Sequence, residues 1–82
     1  MTPEQQKYFD TMEFLFGQDG WKNFIEDIQI RQTQDKENLL NSKQTYSDVQ
    51  IMYGRNEVYS YILSLEDTLK EVKSQLQENT YE

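Results

Sequence analysis

Residues 58–76, VYSYILSLEDTLKEVKSQL, decide the fold of this chain. Val58, Ile62, Leu65, Leu69, Val72 and Leu76 follow one another at steps of four, three, four, three and four. That alternation keeps one face of an α-helix turned toward a partner helix. Glu66, Asp67, Lys70, Glu71 and Lys73 stand between them, so the remaining surface is made for water. One step back the row meets Arg55 and then Ile51. The spacing predicts a long amphipathic helix with a coiled-coil-like seam.

Start and stop signals extend the reading to the rest of the chain. Ser47 to Gln50 offers a capping box, so the long helix is expected from there to about Gln77, with Gly54 inside it and fraying from Glu78 to Glu82. Thr2, Pro3 and Gln5 form a helix start, and Tyr8, Phe9, Met12, Leu15 and Phe16 share one face of the helix that follows. Gly17 is placed to close it in the left-handed conformation. Asp19 caps a second helix with a stripe of Trp21, Phe24, Ile25 and Ile28. Arg31 to Asn38 contains no apolar residue, yet it is rich in helix formers, so this helix is expected to run to about Leu40. Asn41 to Thr45 reads as the turn. The prediction is an all-α single domain over residues 1–82: a short N-terminal helix plus a long antiparallel helical hairpin. The first helix folds back over the aromatic end, and the polar stretch leaves Leu69, Val72 and Leu76 without apolar cover.

Composition excludes several functions. A net charge of −7 with only eight Lys and Arg argues against binding DNA or RNA, which draws on cationic side chains displacing counterions. The absence of a basic cluster argues against an anionic membrane surface. The longest apolar run, Phe14-Leu15-Phe16, is far short of the roughly 20 residues that span a bilayer. No secretory signal is visible, and a chain without cysteine has no disulfide framework, so cytosolic or virion residence is expected.

The chain also lacks histidine, which with cysteine removes the commonest general base, the thiol nucleophile and most transition-metal ligands. Glu26-Asp27 and Glu66-Asp67 are adjacent pairs that diverge by about 100° on a helix and read as solvated surface. Asp35-Lys36-Glu37 lacks the glycine and terminal glutamate of a calcium loop. No glycine-rich phosphate loop is present. No catalytic residue, metal, cofactor or small-molecule site is expected.

The aromatics divide between core and surface. Tyr8, Phe9, Phe16, Trp21 and Phe24 are expected to pack together, whereas Tyr53, Tyr59 and Tyr61 fit either partial core or a protein interface. Gly54 and Arg55 also admit two readings. The glycine lets a neighbouring helix come close while Arg55 pairs internally with an acidic residue such as Glu26 or Asp27; alternatively, Arg55 reaches a partner's carboxylate or a phosphate. The candidate partner interface is Arg55, Tyr59, Leu69, Val72 and Leu76.

The opening Met1-Thr2-Pro3-Glu4-Gln5-Gln6 with Tyr8-Phe9, the segment Gly20-Trp21-Lys22 with Phe24 and Glu26-Asp27, and Gly54-Arg55 with Glu57-Val58 and Leu65-Glu66 carry a resemblance. In these the chain resembles small acidic helical proteins of tailed, mainly podovirus-type, phages. The resemblance touches most of the chain outside the polar middle. It implies a phage protein encoded among the structural genes, in the head or head–tail region, and carries over no catalytic residue. Two functions follow as expectations. One is a non-enzymatic virion or assembly protein that docks on a capsid, portal or connector protein, and on copies of itself. The other is an early acidic regulator that inhibits a host enzyme such as RNA polymerase or a nuclease.

Overall fold

The computed structural model describes residues 1–41 and 43–78. Among them are three helices and no strand: α1 (Pro3–Phe16), α2 (Asp19–Asn41) and α3 (Tyr46–Glu78). The expected fraying of residues 79–82 lies outside the described residues.

Local chemistry sets the helix ends. Thr2 accepts from the Gln5 amide while the Gln5 side chain accepts from the Thr2 amide, the reciprocal box expected there. Gly17 closes α1 in a right-handed conformation, φ −82° and ψ −8°, where its amide reaches the Glu13 and Phe14 carbonyls. The expected left-handed turn is not needed, because α2 begins two residues later. Asp19 is the first residue of α2 instead of its cap, so its carboxylate meets the positive end of the helix dipole. The capping box of α3 is Thr45 with Asp48, each side chain accepting from the other's amide. It lies two residues before the expected Ser47 box.

The helices pack as two compact units: Met1–Lys22 with the chain from Ser64 onward, and Asn23–Leu63. The second is the expected antiparallel hairpin of α2 on α3, and it buries Ile28 and Met52. Gln32 on α2 donates to Asn56 on α3 at 2.9 Å and makes a longer contact to Ser60, while Asp35 is held by Arg55. Gln32 and Asp35 of the polar stretch therefore face polar residues in the first half of α3.

This pairing moves the inner row of α3 by one residue. Val49, Met52, Asn56, Tyr59 and Leu63 turn toward α2 at steps of three, four, three and four. Val58 and Ile51, expected in or near the seam, are each 57% exposed. On the inner row Asn56 accepts from the Gln32 amide of α2, while Arg55, a member of the expected row, reaches Asp35.

In the other unit α1 lies along the C-terminal half of α3. Glu13 pairs with Lys73, and Trp21, in the first turn of α2, donates its indole N–H to Glu66. The partners descend α3 as the N-terminal segment rises, so that segment runs antiparallel to it. Phe9 is buried, and Phe16 stacks at a tilt on Trp21 with ring centres 5.1 Å apart. Phe9, Met12 and Phe16 enclose a cavity of about 30 Å³ with Leu69 and the stems of Glu66 and Lys70. Two expectations change here. Tyr8 edges onto Phe9 but is half exposed, and Phe24 is exposed and belongs to the hairpin unit. Glu66, read as solvated surface, is half-buried and bonded.

Candidate partner interface

The five residues singled out from the sequence all stand on α3 but divide between the two units. Arg55 and Tyr59 belong to the hairpin; Leu69, Val72 and Leu76 belong to the unit that contains α1.

In the hairpin the Arg55 guanidinium is engaged inside the chain. Its Nε donates to Asp35 Oδ2 at 2.9 Å and its Nη2 to Oδ1 at 3.2 Å, a two-point grip that fits a planar fork to a carboxylate. An internal pair with an acidic residue is one of the two readings of Arg55; the acid is Asp35, where Glu26 and Asp27 stood as examples. The difference is one of register. Asp27 lies two helical turns before Asp35 and pairs with Arg31 on its own helix at 2.9 Å. That hydrogen bond first, and the Asp27 charge second, raise the Arg31 guanidinium above its ordinary value. Tyr59 is half-buried toward α2, while Tyr53 and Tyr61 are exposed.

In the other unit Leu69 is half-buried against α1, and Leu76 is half-buried as well. Of the three residues expected to lack apolar cover, Leu69 has it from Phe9, Met12 and Phe16 of α1. Val72 is 38% exposed and is the member of the trio open to a partner. Sequence reasoning missed Asp35 as the Arg55 partner and the outward placement of Ile51 and Val58. A heptad count begun at Val49 instead of Val58 finds the second; the first depends on how α2 lies along α3.

Chemically, the described surface offers contact area. No group of three or more potential ligands among the described residues is placed to hold a metal ion, and no described helix is long and apolar enough to cross a membrane. No described side chain holds a polar atom that is both buried and without a partner. The chain matches no protein-family model, no curated protein and no solved structure.

Proposed function

We propose that this protein is a non-enzymatic structural or assembly component of a tailed-phage particle, docking its helices on a capsid, portal or head–tail connector protein. One observation carries the reading: the described residues bury only Phe9, Ile28 and Met52, while large apolar side chains such as Phe14, Ile51, Val58, Tyr61 and Val72 stay exposed. A chain of 82 residues with so thin a core gains stability by burying such surface on another protein. The phage resemblance supplies the context and the virion as its place. The acid excess supports the rival reading, an early inhibitor of a host enzyme, less well. Its acids are interspersed with Lys and Gln along the helices, whereas a mimic of nucleic acid presents them in continuous rows.

Quantitative mass spectrometry of purified particles separates the two. Stoichiometric presence in the particle is the expected result. Absence from particles, with synthesis early in infection, overturns the reading in favour of the inhibitor.

A further inference from the structure

The joint between α1 and α2 is short and already close to helical, and we infer that it straightens, so that two copies of this chain exchange their α1 helices and dimerise. The Gly17 amide reaches the Glu13 carbonyl, four residues back, and the Lys22 amide reaches the Gln18 carbonyl, also four back. The helical pattern lapses only between them. No described residue has a positive φ, Gly17 itself is right-handed, and the single proline is Pro3. One unbroken helix from Pro3 to Asn41 therefore needs no change in the sign of any φ. Gly17 and Gly20 weaken that joined helix, which keeps the bent monomer in the majority at low concentration.

Straightening decides where the apolar stripe of α1 points. Phe16 and Ile25 are nine positions apart, about two and a half turns, so in an unbroken helix they stand on opposite sides. In the bent chain both are half-buried. With Ile25 and Ile28 kept on their own α3, the joined helix turns Phe9, Met12 and Phe16 outward, away from their own Leu69.

The contacts within the chain identify the occupant. A released α1 carries Phe9, Met12, Glu13 and Phe16, and the α3 it leaves carries their partners: Leu69, the stems of Glu66 and Lys70, and Lys73. A two-fold exchange remakes these contacts twice, between chains instead of within them, and restores backbone hydrogen bonds across the joint. Only the loss of freedom on association opposes it. Little holds α1 in place, since Phe9 is its one buried residue and the Glu13 side of the ion pair is 53% exposed. The inference does not depend on docking to a capsid or portal protein.

Sedimentation equilibrium of the full chain, from micromolar to millimolar, tests it together with cross-linking. The parent is expected to dimerise at the upper end. Gly17→Ala favours the joined helix, and its methyl meets only ordinary contacts at 3.6 and 3.8 Å in the bent form, so it should tighten dimerisation about tenfold. Asp19→Pro acts in the opposite sense. Proline is accepted at the first residue of α2 but breaks a continuous helix, so this variant should stay monomeric with its helical circular dichroism retained. If it loses helix, Gly17→Ala and the cross-link carry the test. The chain has no cysteine, so Glu13→Cys with Lys73→Cys supplies the sole thiols for a short bismaleimide. An exchanged dimer yields covalent dimers; a side-by-side dimer yields chains linked only internally, which overturns the inference. So does a parent that stays monomeric together with Gly17→Ala throughout, or a folded Asp19→Pro variant that dimerises like the parent.

Discussion

Arg55 and Asp35 join the two arms of the hairpin by two nitrogen–oxygen contacts, at 2.9 and 3.2 Å. The Asp35 side chain is only 17% exposed, so its carboxylate has given up much of its water for this grip. Arg55→Ala leaves that carboxylate unpaired and is expected to cost about 2 kcal/mol in urea denaturation, since hydrogen bonds to charged groups contribute at that level. Arg55→Lys keeps the charge but loses the fork, and should cost about 1 kcal/mol. Equal stability of all three proteins would show that the pair contributes nothing.

Trp21 gives a second test. Its half-buried ring stacks on Phe16 and its indole N–H serves Glu66. Trp21→Phe keeps an aromatic ring and deletes the donor, for an expected loss of about 1 kcal/mol. Trp21→Ala removes the ring as well and should cost about 3 kcal/mol, the low end for such truncations because the site is not fully buried. Thermal melts of the two variants give the order directly; an alanine variant as stable as the parent would mean that the ring does not pack.

Leu69 and Val72 should behave differently although they are neighbours in the sequence pattern. Leu69 lines the small cavity with Phe9, Met12 and Phe16, so Leu69→Ala is expected to cost about 2 kcal/mol. Val72 is 38% exposed, and Val72→Lys should change stability by no more than about 0.5 kcal/mol. Substituting Leu69 by Lys is therefore a test of folding, and only the Val72 variant probes a partner. A large loss from Val72→Lys, seen in chemical denaturation, would place that side chain in the core.

Gly54→Ala should stabilise the monomer by about 1 kcal/mol, the difference in helix propensity, because the new methyl enters open space. Dilute samples, below any association, are the ones to melt. A destabilised variant would reveal a contact at Gly54 within the chain.

Caps provide the last comparison. Thr45→Ala removes the acceptor for the Asp48 amide and is expected to cost about 1 kcal/mol. Ser47→Ala, inside the first turn of α3, should leave the midpoint unchanged. The reverse order would return the helix start to Ser47.

Much of the architecture was legible in the sequence. Thr2-Pro3 and the apolar spacing from Tyr8 to Phe16 determined the first helix; the short turn before Tyr46 and the long row on α3 determined an antiparallel hairpin. These are local signals, in which a residue's neighbours at three and four positions fix its face and a cap satisfies the free amides of the first turn. What only the tertiary structure decided is which side of α3 faces in and what covers each half. Val58 and Tyr59 differ by about 100° on the helix, and both are apolar enough for a seam. Tyr59 shares its face with Asn56, which accepts from Gln32 of α2, a contact between residues 24 positions apart. The cover of Leu69 by Phe9, Met12 and Phe16 likewise depends on α1 running antiparallel to α3, and no spacing within the row itself encodes that.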